Sequence, residues 1–287
     1  MEKTLPEFKG KALIDPSVAL PHIGFLEGDF GEAFLEEYKG RSNSDYKGAR
    51  QLDVLRYNGQ TVTGSNPFTV VLANQILSQE GLRTASQADL ETAMRVGAMD
   101  LRGTYEDTAL VLRSDEDRDW SANTAIARDL GKQLKARGIK YSAKSPAVIP
   151  LTSLELNTAD NNYRLSFRLT EDGKVYEAQI LSGDGDFDSE DLDRKTGLPR
   201  KLMGGKRHLY TRGNGLSGLY LDDDLNVISD GRGLDNSDDD GRVVVVSAEG
   251  TSPDLDKYLE RLKESKDAEV AKIEARYQKA EAILRGK

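Results

Sequence analysis

The chain has 287 residues, no cysteine, two histidines and a formal net charge of −9, from 40 Lys+Arg against 49 Asp+Glu. Without cysteine there are no disulfides, thiolate metal sites or thiol nucleophiles, and His22 and His208 leave little imidazole chemistry. The acidic balance argues against a binder of nucleic acid or anionic membranes, which needs concentrated Lys and Arg.

No apolar run approaches the roughly 18 residues of a membrane-spanning helix. The N-terminus, Met1-Glu2-Lys3-Thr4-Leu5-Pro6, lacks the apolar centre of a signal peptide. The expected location is therefore cytoplasmic or virion-associated. At about 150 residues per domain, one large domain or two small ones fit the length.

Asp29 to Tyr38 reads as a short helix, and Arg41 to Asp45 as a polar connector. Leu52 to Tyr57 alternates like a half-buried strand, and Asn58-Gly59 is a turn signal. The strongest helix follows. Asn66 is a good N-cap, Pro67 suits the first helical position, and Gly81 suits the stop. A second helix is expected near Ser86, where Ser86 and Asp89 form a capping-box pattern, with Gly97 ending it. Thr108 to Arg113 reads as a strand. Ser121 to Arg137 contains a helix with Ile126, Leu130 and Leu134 on one side, closed by Gly138.

From Ala147 the period shifts to two. Val148–Leu156, Tyr163–Leu169 and Val175–Leu181 are strand candidates, with Asp172-Gly173 as a hairpin turn between the last two. Arg242 to Ser247 is an apolar β-branched run and the clearest buried strand. Helices and strands are unevenly mixed, which predicts an α+β fold. Ser252 to Arg285 reads as one helix with a near-heptad row from Leu255 to Leu284. It either docks on its own domain or self-associates. The expected division is an N-terminal segment (1–48), a central domain (49–249) and a C-terminal helix (250–287).

Two patterns invite functions that their context does not support. Gly213 to Gly218 matches GxGxxG, yet the residues after it, Leu219 to Asp224, read as strand and loop where a dinucleotide fold needs a helix. Asp184 to Glu190 is acid-rich, but in an EF-hand register Ser189 and Lys195 stand where Gly and Glu belong. No metal, cofactor or catalytic residue is expected.

Residues 213–241 hold eight Asp, six Gly, five Leu, three Asn and three Ser in 29 positions, with no Lys, Glu, Gln, Met or Trp. Solvation alone would accept Lys and Glu. Altering the adenines of an AAC or AAT codon gives Asn, Asp, Ser, Gly, Tyr, Ile and Arg, and never Lys, Glu, Gln, Met or Trp. On this reading Leu216, Leu219, Leu221, Leu225 and Leu234 are a fixed skeleton. Ser217, Tyr220, Asp222, Asp224, Asn226, Asp230, Arg232, Asp235, Asn236 and Asp238 are the diversified positions. A Gly/Asp-rich surface loop of chance composition is the alternative.

The window resembles the variable region of diversity-generating retroelement variable proteins, whose C-type-lectin-like fold is shared with formylglycine-generating enzymes. Ala73 to Leu77, followed by Gly81 to Glu91, is similar to that superfamily's paired helices, with Arg83, Thr84, Leu90 and Glu91 at matching positions. Gly241 to Val245 resembles its closing strand. The resemblance implies a C-type-lectin-like domain, here with an extra C-terminal helix, that presents variable residues to a protein or glycan ligand. It implies no enzyme, because the enzymes of that superfamily act through cysteines. Two other readings remain: a metal-dependent hydrolase using the Asp clusters, and an assembly protein acting through residues 252–287.

Overall fold

A computed structural model describes residues 23–231 and 233–247. The described residues fall within one compact unit. The expected C-terminal helix and its self-association surface lie outside them.

The first half contains β1 (Ile23–Phe25), α1 (Gly28–Tyr46), β2 (Arg56–Tyr57), β3 (Val62–Thr63), α2 (Pro67–Leu77) and β4 (Leu82–Thr84). Then come α3 (Gln87–Arg95), β5 (Glu106–Leu112), α4 (Thr124–Ala136), β6 (Ala147–Pro150), β7 (Leu154–Thr158) and β8 (Leu165–Leu169). The last elements are β9 (Tyr176–Glu177), β10 (Gly185–Phe187), β11 (Arg207–Thr211), β12 (Leu216–Leu221), β13 (Val227–Ser229) and β14 (Val244–Ser247). The fold is α+β. A curled seven-stranded sheet has the order β10-β11-β13-β12-β5-β6-β9, and a smaller sheet has the order β1-β14-β4. In the large sheet β11 and β13 run parallel, and the other neighbours are antiparallel.

The helix starts follow local chemistry. The Asn66 side chain accepts from Thr69 N, while the Thr69 hydroxyl accepts from Asn66 N. Ser86 and Asp89 make the same reciprocal cap on α3. Phe68, Val71, Leu72 and Ile76 of α2 lie in one core with Leu110 and Leu112 of β5, Leu216 of β12 and Ile126, Leu130 and Leu134 of α4. Phe68 stacks on Phe167 at 4.9 Å between ring centroids.

Several expectations are corrected. Residues 41–45 are not a connector: α1 runs to Tyr46, with Ser42 buried and Tyr46 packed against the core. Residues 23–46 are not a separate segment, since Phe34, Leu35 and Tyr38 belong to the same core as α2. Strand Leu52–Tyr57 shrinks to Arg56–Tyr57, and Leu52 and Leu55 are buried from a turn instead. The run Val148–Leu156 is broken by a 3-10 turn at Leu151–Ser153, which sends its halves to different sheets. Asp172-Gly173 does not join a hairpin, because β8 pairs with β7 and β9 pairs with β6. In each case long-range burial overrides a local pattern.

Candidate binding site

The window begins as the strand β12, which lies between β5 and β13 in the middle of the large sheet. Its register with β5 pairs Leu216 with Leu112, Gly218 with Leu110 and Tyr220 with Asp107. A bulge at Thr108 separates the last two pairs. Alternation puts Leu216, Gly218 and Tyr220 on the face that meets α2, and Ser217, Leu219 and Leu221 on the other. A strand, not a helix, therefore follows the GxGxxG pattern.

The opposite face rests on a buried polar layer. Arg113, 1% exposed, donates to Ser217 Oγ at 2.9 Å, to Ser229 Oγ at 2.8 Å and to the Thr211 hydroxyl. Burial and the nearby Arg212 lower its pKa to about 9. Asp117 anchors the start of the window. Its carboxylate accepts from Trp120 N at 2.8 Å, from Leu216 N at 3.3 Å and from the Arg212 guanidinium. The glycine-rich stretch before β12 is thus held by buried charge and hydrogen bonds.

All five window leucines are buried: Leu216 and Leu221 at 0%, Leu219 and Leu234 at 1%, and Leu225 at 9%. The polar positions divide into groups. Tyr220 is half-buried and Asn236 exposed, and both line a pocket with Pro67, Tyr105, Asp107 and Gly218. This pocket opens to solvent. Asp238 is exposed, and its N–H donates to the Tyr105 hydroxyl at 2.8 Å. Asp235 pairs with Arg50 at 3.4 Å. Asp224 and Asp230 are exposed elsewhere.

Three expected binding positions are used by the fold itself. Ser217 is fully buried and hydrogen-bonded to Arg113, so the expectation that it faces a ligand is corrected. The Asp222 carboxylate closes its own turn by accepting from Asp224 N at 3.0 Å and Asn226 N at 2.7 Å. Asn226 in turn accepts from His208 N at 2.8 Å. Arg232 lies outside the described residues.

Tyr105, Asp107, Pro67 and Gly218 were not among the binding positions expected from the sequence. The usable signal was the alternation Tyr105, Asp107 leading into the strand at Thr108, on the same side as the window's Tyr220. Tyr105 meets Tyr220 edge-on at 6.0 Å between ring centroids. Its hydroxyl donates to Ser65 O at 2.7 Å, and burial raises its pKa well above the usual range for a phenol. Asp107 is 9% exposed, and its Oδ2 accepts from the Ser65 hydroxyl at 3.2 Å. Among the described residues, no three His, Asp or Glu side chains are grouped so as to hold a metal ion, and no helix is long and apolar enough to cross a membrane.

No protein-family model, curated protein or solved structure matches the chain.

Proposed function

We propose that the chain is a ligand-binding variable protein of a diversity-generating retroelement, built on a C-type-lectin-like domain. The observation that carries this reading is the division within residues 213–241. All five leucines are buried, Leu234 in the wall of one pocket, while Tyr220 and Asn236 line that pocket from the window. Such a division lets exposed side chains change with little effect on folding. Tyr, Ser, Gly and Asn are also the residues that adaptable binding loops favour. Among the described residues, no grouped metal ligands support the hydrolase reading.

The test is genomic and direct. The coding DNA should have an imperfect repeat of codons 213–241 with adenines at the variable positions, beside a reverse transcriptase gene. A locus without both removes the retroelement reading. A library randomised at positions 220, 235, 236 and 238 then tests the surface itself: folded binders to protein or glycan targets support it, and a failure to recover folded members refutes it.

A further inference from the structure

We infer that Asn58 is a site of spontaneous modification: its side-chain amide cyclises onto the backbone nitrogen of Gly59, and water then opens the ring to aspartate or isoaspartate. The inference is independent of the binding reading. It rests on how the Asn58-Gly59 turn differs from Asn214-Gly215, the other Asn-Gly pair in the chain.

The cyclisation makes three demands. The glycine nitrogen must be free to attack the asparagine Cγ, donors must meet the charge that develops on Oδ1, and Nδ2 must be free to leave. Asn58-Gly59 satisfies all three. It lies in the turn between β2 and β3, where residues 58–60 are exposed. Among the described residues, the Gly59 N–H has no hydrogen-bond partner. Gly59 has no side chain to shield its nitrogen, and nothing lies within 4 Å of where a Cβ would sit. Asn58 Oδ1 accepts from Gln60 N and from Thr61 N, both at 3.0 Å. Two backbone donors on one carbonyl oxygen stabilise the charge that nitrogen attack places there, as an oxyanion hole does. Asn58 Nδ2 has no partner among the described residues.

Asn214-Gly215 is held differently at each point. Gly215 N donates to Ser114 Oγ at 2.8 Å, so the attacking nitrogen is engaged. Asn214 Oδ1 accepts from one backbone donor, Arg118 N at 3.1 Å, and Nδ2 donates to Asp119 Oδ2 at 3.3 Å. Gly215 also packs against Asp117, whose Cγ would lie 2.6 Å from an added Cβ. That contact resists the backbone shift that would bring nitrogen and Cγ together.

In the first step the bond from Gly59 N to Asn58 Cγ forms and the Cγ–Nδ2 bond breaks. The Gly59 amide proton leaves with Nδ2 as ammonia. Water is the co-reactant of the second step. Its addition at Cγ gives aspartate. Its addition at the Asn58 backbone carbonyl gives isoaspartate, whose main chain runs through the former side chain and is longer by one methylene. The turn also anchors the start of α1: Gly28 N donates to Gln60 O at 3.0 Å, and the Thr61 hydroxyl donates to Leu26 O at 3.0 Å. Isoaspartate turns Oδ1 into a main-chain oxygen and takes it from its fixed place under the Gln60 and Thr61 amides.

The test incubates the full chain in mildly alkaline buffer, folded and in urea, and follows both Asn-Gly peptides by mass spectrometry. In the folded chain Asn58 should convert at least tenfold faster than Asn214, with isoaspartate among its products. In urea the two rates should come within about threefold of each other, because the fold makes the difference. Ser114→Ala, which removes the acceptor of Gly215 N–H, should speed Asn214 at least threefold in a folded chain and leave Asn58 at its original rate. Equal rates in the folded chain, faster conversion of Asn214, or no conversion of Asn58 would each overturn the inference. These comparisons use the unmutated chain and stand whether or not the Ser114 variant folds.

Discussion

Arg207 and Glu91, 116 residues apart in the chain, meet as a bidentate pair with both Nη–Oε distances at 2.7 Å. Both side chains are less than a tenth exposed, at 9% and 6%. The guanidinium also lies over the Phe187 ring, 4.8 Å from its centroid. The pair ties α3 to β11, and so joins the helical part of the molecule to the sheet that carries the window.

Removing one partner leaves a buried charge uncompensated. Glu91→Ala should lower unfolding stability by about 3–5 kcal/mol, measured by urea denaturation. The double variant Glu91→Leu, Arg207→Met should recover most of that loss. A double variant as unstable as the single one would show that the pair contributes more than its own neutralisation.

Within the window, substitutions should separate by burial. Leu219→Ala should cost about 2–5 kcal/mol through the cavity it leaves. Asp224→Ser, Asp230→Ser and Asn236→Tyr should each stay within about 0.5 kcal/mol. Ser217→Ala should behave like a core change and cost about 1–3 kcal/mol, because Arg113 loses a buried acceptor. Thermal unfolding of the five variants checks the division. Equal losses throughout would remove it.

Glu106 has its pKa raised from 4.5 to about 8, mainly by burial. Its Thr104 hydrogen bond works against the shift, and the charge of Asp107 adds to it. The folded state therefore holds a proton that the unfolded chain releases above about pH 4.5. Stability from this group is full below the unfolded value and falls as pH rises from there to about 8. Glu106→Gln keeps the carbonyl acceptor for Thr104 and cannot ionise. It should flatten the pH dependence of stability over that range and stabilise the protein at pH 8. An unchanged profile would show that Glu106 is ionised in the fold.

Gly205 is a backbone requirement. Its φ is +125°, and a Cβ would lie 1.8 Å from the Phe187 carbonyl oxygen. Gly138, which follows α4 at φ +73°, has nothing within 4 Å of its missing Cβ. Gly138→Ala should cost only about 1 kcal/mol, the left-handed penalty alone. Gly205→Ala should cost clearly more, since β10 and the turn before β11 must part. Comparable losses in calorimetry would contradict this difference.

Residues close in sequence determined much of the local structure. The Asn66–Thr69 and Ser86–Asp89 caps, the α4 face of Ile126, Leu130 and Leu134, and the buried Val244–Ser247 strand depend on spacing and capping chemistry within a few residues. The leucine spacing of the window likewise follows from strand alternation and turns. Tertiary structure decided what the polar residues do. Ser217 carries the same hydroxyl as an exposed serine, and only the arrival of Arg113, the residue after β5, makes it a buried acceptor. Asp107 and Tyr105 join Tyr220 because the β5–β12 register, shifted by the bulge at Thr108, sets them side by side. Periodicity tells a side chain which way to point, but its partners come from strands more than a hundred residues distant, and only the packed sheet brings them together.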